Sequence, residues 1–280
     1  MNELPLVSIV TPSFNQGRFI EETIRSVADQ DYPRVEHIVV DGCSTDETIE
    51  ILGRYPHLRW VSEPDEGQAD ALNKGFAMAE GEIFAWLNAD DLYLAGAIST
   101  AVHALRESGA DLVHGGWRQI DERGNTIRDV EPVPFDFRRQ LEERNAVAQP
   151  GAFFTRTAFE AVGGLDARFR YAMDYELWLK LGKRFRVRHV DRVLAAYRYH
   201  PESKTVAEPA GFSPETIRAS RRHGGRFFSP MYVDWYLPRH RPFLYRLVVA
   251  LRLLRAWDIS ELARRVCRRL DLLRGRTQDD

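Results

Sequence analysis

Two periodicities alternate through residues 6–117, and that alternation limits the chain to very few folds. A short apolar run rich in β-branched residues lies at 6–11, further strands are expected at 35–40, 58–61 and 83–87, and another begins at 111. Between them apolar residues recur at helical spacing, as at Phe19, Ile20, Thr23, Ile24 and Val27. Further helices are expected from Asp46 through 52, over 68–79 and over 97–105. Short apolar strands separated by helices form a mostly parallel sheet covered on both faces. The expected class is therefore α/β, Rossmann-like, with helices on each side. In such sheets ligands bind beyond the carboxyl ends of the strands. Three polar motifs sit there: Pro12-Ser13-Phe14-Asn15 after the first strand, Asp41-Gly42-Cys43-Ser44-Thr45-Asp46 after the second, and Asn88-Ala89-Asp90-Asp91 after the fourth.

Each motif has a chemical use and a plainer one. Adjacent carboxylates after a buried strand are costly unless a cation or strong donors neutralise them. Asp90 and Asp91 therefore suit Mg²⁺ or Mn²⁺ bridging a diphosphate, or else a cap in a solvated turn. Asp41 can bind a base or ribose while Asp46 caps the following helix. Phe14 and Asn15 offer a ring and an amide at the same edge, or a plain turn. Asp174 opens an expected helix over 174–182, as a cap or as a general base facing a pocket. His200 follows a strand end and is readable as structural or as a ligand. A Walker-type phosphate loop and a GxGxxG dinucleotide motif are both absent from the sequence.

Past residue 117 the pattern loosens. Asp121-Glu122-Arg123-Gly124-Asn125 signals a hairpin, 135–144 a short helix, 151–155 a strand, and 187–199 a strand or strand pair. The segment 201–215, with three prolines, reads as a loop.

Taken in order, the motifs resemble the family 2 glycosyltransferases. The resemblance rests on residues 6–15, on 24–27 and Gln30, on 39–46, on 62–75 and on Asn88-Ala89-Asp90-Asp91. It continues through Gln149-Pro150-Gly151, Gly164-Leu165-Asp166 and Asp174-Tyr175-Glu176-Leu177-Trp178, covering roughly residues 5–205. It implies a GT-A fold and transfer of a sugar from a nucleotide diphosphate, usually with inversion. The family's Asp-x-Asp motif falls on Asn88 and Asp90. Since Asn88 replaces the first acid, Mn²⁺ or Mg²⁺ is expected on Asp90 and Asp91, with His200 at a late position that reaches diphosphate or metal. Thr11, Pro12, Phe14, Asn15 and Asp41 would hold the nucleoside, with uridine favoured. Gln68 and Asp70 would line the ribose side, and Asn88 and Asp90 the diphosphate. Asp174 matches the catalytic base. The implied acceptor is a glycan or lipid-linked hydroxyl in surface polysaccharide or glycolipid synthesis. A nucleotidyltransferase and a non-catalytic sugar-nucleotide-binding subunit are the competing readings.

The net charge of −2 conceals a split of −13 over residues 1–117 against +11 over 118–280. The expected organisation is a transferase domain over 1–215, divided into nucleotide (1–117) and acceptor (118–215) halves, followed by an Arg-rich helical extension over 216–280. In that extension Phe243, Leu244, Leu247, Leu251 and Leu254 form one apolar stripe, and Ile259, Leu262, Val266, Leu270 and Leu273 another. Such basic amphipathic helices suit an anionic membrane surface, and equally suit packing on the domain or on a second subunit. No nucleic-acid motif accompanies the charge. The sequence begins without a signal-peptide pattern, and Cys43 and Cys267 make no metal-type pair. The expected setting is cytoplasmic, with the inner membrane face as the place for a peripheral anchor.

Overall fold

The computed structural model describes residues 3–256. They form two compact units, one ending at Phe227 and one beginning at Phe228. In the first, β1 (Val7–Ser13), β2 (Val35–Asp41), β3 (Arg59–Ser62) and β4 (Ile83–Trp86) pair in parallel in the order β3-β2-β1-β4. Their crossovers are α1 (Ile20–Ala28), α2 (Thr48–Leu52) and α3 (Gln68–Met78). The remaining elements are β5 (Leu92–Tyr93), α4 (Ala97–Ser108), β6 (Leu112–Ile120), β7 (Thr126–Val130), α5 (Phe137–Glu142), β8 (Ala152–Thr155), α6 (Arg156–Ala161), α7 (Met173–Arg184), β9 (Val187–Arg198), α8 (Lys204–Ala207) and α9 (Pro209–Arg222). The sheet continues past β4 through β8, β6, β9 and β5. β8 is antiparallel to both neighbours, β6 and β9 pair in parallel, and β7 folds back on β6 at the expected hairpin.

The two-residue period of β4 sorts its side chains onto two cores. Ile83, Ala85 and the following Leu87 pack with Val7 and Ile9 of β1 and with Ile98, Ala101 and Val102 of α4. Phe84 and Trp86 face the other way, into an aromatic layer. Phe76 of α3 lies 4.6 Å from Phe159 of α6 between ring centroids. The Trp86 indole stacks on Trp178 of α7 at 5.5 Å and 13°. Both tryptophans are fully buried. The helix α3 lies so close to the sheet that a Cβ on Gly75 would sit 2.3 Å from Val10 Cγ1.

Two sequence expectations change. The segment 201–215 is not a loop but carries α8 and the first half of α9. Pro209 occupies the first turn of α9, where its missing N–H has no intrahelical partner to lose, and only Pro214 lies inside the helix. The expected boundary at 215/216 also falls within α9, while the compact units divide after Phe227. The second unit holds a π-helical turn (Met231–Tyr236), α10 (Leu237–His240) and α11 (Pro242–Ala256). The helix expected around Ile259 to Leu273 lies outside the described residues.

Candidate active site

A cleft of about 950 Å³ opens where β1 and β4 end. Pro12, Phe14, Gln68, Asn88, Asp90, Asp174 and His200 all line it. Thr11, Asn15, Asp41, Asp70 and Asp91 do not line it, and their contacts explain why.

At the β1 end of the cleft the loops after β1 and β2 are tied together. The Asn15 N–H donates to Ser44 Oγ at 2.7 Å, and Asn15 Oδ1 accepts from the Thr45 N–H at 2.8 Å. Gln16 N–H donates to Thr48 Oγ1 at 3.0 Å and Gly17 N–H to Asp46 Oδ2 at 2.9 Å. Asp46 also accepts at 3.0 Å from the N–H of Thr48, the first residue of α2, although the cap position itself falls on Glu47. Asp41 is fully buried and accepts from the Ser44 N–H and the Ser62 hydroxyl, both at 2.8 Å, and from the Ser44 hydroxyl. Its carboxylate thus holds the β2 loop in shape. Thr11 is buried against His37 Nε2 at 2.9 Å. Asp70 accepts from the Glu66 N–H at 3.1 Å and pairs with Lys74. Phe14, 61% exposed, is left as the open aromatic face at this end.

The next turn is wired by amides. Asn88 Oδ1 accepts from Gln68 Nε2 at 2.8 Å, while Asn88 Nδ2 donates to Gln149 Oε1 at 3.0 Å and to Asp91 Oδ2 at 3.1 Å. An ionised aspartate has no hydrogen to donate to either oxygen. Asn88→Asp, which restores the first acid of the family motif, should therefore destabilise the protein by about 1–3 kcal/mol, measured as a lower Tm.

Asp90 and Asp91 separate. Asp91 is wholly buried, and its Oδ1 accepts from the Arg198 backbone N–H at 3.0 Å. Burial, and then the charge of Asp90, push its carboxyl well above the usual carboxylate range. This corrects the expectation of Asp91 as a metal ligand: it supports the turn from behind. Asp90 faces the cleft, and its Oδ2 lies 2.9 Å from His200 Nε2. The other ring nitrogen of His200 lies 3.0 Å from Glu202 Oε2. The hydrogen bond from Asp90, with that from Glu202, raises the His200 pKa against the effect of burial. The cleft-facing carboxylate of Asp90 is an oxygen donor of the kind Mn²⁺ or Mg²⁺ takes, with the His200 imidazole beside it. Among the described residues no group of three or more acids, histidines or cysteines is placed to hold a metal ion.

Asp174 begins α7 and lines the same cleft. Burial pushes its carboxyl up to about 6, against the N–H groups of the helix start. Desolvation is thus a larger effect here than the helix start. Asn145 Nδ2 approaches Asp174 Oδ2 at 3.4 Å. Glu176 points elsewhere, paired with Lys180 and His223 at 3.1 Å each.

Three further residues belong to the site. Lys204 lines the cleft and donates to Gln68 Oε1 at 2.7 Å. Gln149 links Asn88 to the Trp86 carbonyl, to which it donates at 2.8 Å. Arg198 is fully buried and donates from Nε to the Asp90 carbonyl at 2.9 Å and from Nη2 to Glu22 at 2.6 Å. A lone arginine closing the apolar run Leu194-Ala195-Ala196 was the available signal for the last of these.

Comparison with known proteins identifies the family and the fold. The Glycosyl transferase family 2 profile matches residues 8–163. The glycosyltransferase TuaG of Bacillus subtilis, named for teichuronic acid biosynthesis, is 30% identical over 205 residues, covering 70% of this chain and 80% of that protein. The Pyrobaculum calidifontis mannosyltransferase PcManGT, solved with GDP-Man and Mn²⁺, matches at a TM-score of 0.65 and 22% identity over 96% of this chain and 81% of its own. S. aureus TarS 1-349 with UDP-GlcNAc matches at 0.64 and 19% identity, over 85% and 73%. At such identities the two structures speak for the fold alone. A profile spanning more than half of the sequence, and motifs that meet at one sheet edge, lead to one conclusion: the chain belongs to glycosyltransferase family 2 and has the GT-A fold.

Proposed function

We propose that this protein is an inverting, divalent-metal-dependent transferase that moves a sugar from a nucleoside diphosphate, with UDP favoured, to a hydroxyl of a glycan or lipid-linked acceptor in surface polysaccharide synthesis. The observation that carries the reading is a carboxyl with a pKa near 6, Asp174, in the same cleft as the Asp90–His200 pair. Asp90 and His200 would hold Mn²⁺ or Mg²⁺, which neutralises charge on the departing diphosphate. Lys204 adds a cation to the same cleft. Asp174, ionised at neutral pH, takes the proton of the acceptor hydroxyl. The acceptor oxygen then bonds to the anomeric carbon as the bond to the diphosphate oxygen breaks. One displacement inverts the configuration and requires no protein nucleophile. Likeness to TuaG supports polysaccharide synthesis, and the UDP-GlcNAc and GDP-Man held by the two structural neighbours support a nucleotide-sugar donor.

The anomeric configuration of the product, read by NMR coupling constants, tests the mechanism. An α-linked donor should give a β-linked product. Retention would overturn the single displacement. Donor binding without any transfer or hydrolysis, with or without Mn²⁺, would instead favour a non-catalytic binding subunit.

A further inference from the structure

The second unit carries an amphipathic edge that sugar transfer does not use. On α11, Phe243 is 82% exposed and Leu247, one turn later, is 49% exposed. Leu244, Tyr245 and Val248 are partly buried, so the helix already has an inner face and these two side chains stand outside it. Large apolar groups one turn apart in water favour a surface that removes them from it.

The surrounding charge selects that surface. Residues 237–256 contain five arginines and no aspartate or glutamate. Arg239, Arg241 and Arg246 are exposed around the apolar pair. A second copy of the chain, meeting this edge symmetrically, would set arginines against arginines. An anionic bilayer satisfies both halves of the pattern: apolar side chains enter the acyl boundary while guanidinium groups remain among the phosphates. Among the described residues no helix is long and apolar enough to cross a membrane.

We propose that α11 lies on the surface of an anionic lipid bilayer, inserting Phe243 and Leu247, with Arg239, Arg241 and Arg246 on the headgroup phosphates. The reading stands independently of the transferase reaction.

Co-sedimentation of the full chain with vesicles tests it. The chain should pellet with phosphatidylglycerol–phosphatidylcholine vesicles and stay in solution with phosphatidylcholine alone, and salt should release it. A paired F243S and L247S variant should lose binding while keeping its Tm and donor affinity. R239Q, R241Q and R246Q together should lower the partition coefficient about 100-fold, at about five-fold for each arginine. Wild-type protein that ignores anionic vesicles, or variants that bind like wild type, would overturn the proposal. Loss of a dimer by the F243S and L247S variant in lipid-free sedimentation velocity, without wild-type vesicle binding, would overturn it in favour of a second copy.

Discussion

Asp174→Asn is expected to lower transfer by about 100- to 10,000-fold while leaving donor binding nearly intact. The carboxyl lines the cleft, and its proton affinity is tuned by burial to about 6. The pH dependence carries the same signature. As pH falls through 6 the base gains a proton, so kcat/KM should fall about ten-fold per pH unit below that point. A carboxylate at its ordinary 3.8 would put the limb two units lower. Burial that raises this pKa also opposes the charged form in the folded state. Asp174→Asn should therefore melt at the same or a higher temperature above pH 6, where wild type carries the charge, and lose that advantage well below it. Glu176→Gln supplies the contrast. Its carboxylate is 2% exposed and paired to Lys180 and His223. Burial would raise its pKa, but the His223 hydrogen bond and the Lys180 charge hold it below the ordinary value. The variant should lower the Tm and leave most transfer activity in the folded protein. Side-by-side transfer assays decide. An active Asp174→Asn enzyme beside a folded but inactive Glu176→Gln would assign the base to the other carboxylate.

Trp178→Ala should be the most damaging core substitution, costing about 3–5 kcal/mol. It removes a buried indole stacked on Trp86 and touching Phe154 at 5.9 Å between ring centroids. At this chain length that corresponds to a Tm lower by roughly 10 °C. Trp178 lies one helical turn after Asp174 on α7, and Trp86 ends the strand that leads into Asn88 and Asp90. Loss of the stack should therefore displace base from donor, lowering kcat more than donor affinity. Among the described residues the Trp178 indole N–H has no hydrogen-bond partner. Trp178→Phe, which keeps an aromatic ring, removes that buried donor and leaves a smaller cavity, should cost clearly less than Trp178→Ala. Calorimetry on both variants, with donor titrations, checks the pair. Equal Tm values for Trp178→Ala and wild type would remove the stack from this role.

The strands and helices of the first half were legible because each period has one structural meaning there. The runs at 35–40 and 83–87 could only be buried strands, and Ile20, Thr23, Ile24 and Val27 only one helix face. The site was legible in composition but not in direction. Sequence placed Asp90 and Asp91 side by side, yet a turn rotates adjacent residues apart, leaving one carboxylate in the cleft and the other behind it. Asp41 was recognisable as a loop acid, but not as one whose oxygens are taken by Ser44 and Ser62. Those partners lie on neighbouring segments that only the sheet brings together. The prolines of 201–215 misled for a related reason. A proline breaks a helix interior and suits a helix start, and sequence alone does not say which position it will occupy.

The stitched loops after β1 and β2 affect how a donor is held. Four hydrogen bonds between Asn15, Gln16, Gly17 and Ser44, Thr45, Asp46, Thr48 fix both loops before any ligand arrives. Ordering a residue costs about 1–2 kcal/mol, and here that entropy is lost during folding rather than on binding. A nucleoside bound at this end would therefore meet a preorganised wall, and its affinity there would come from contact with little subtracted for immobilising the protein.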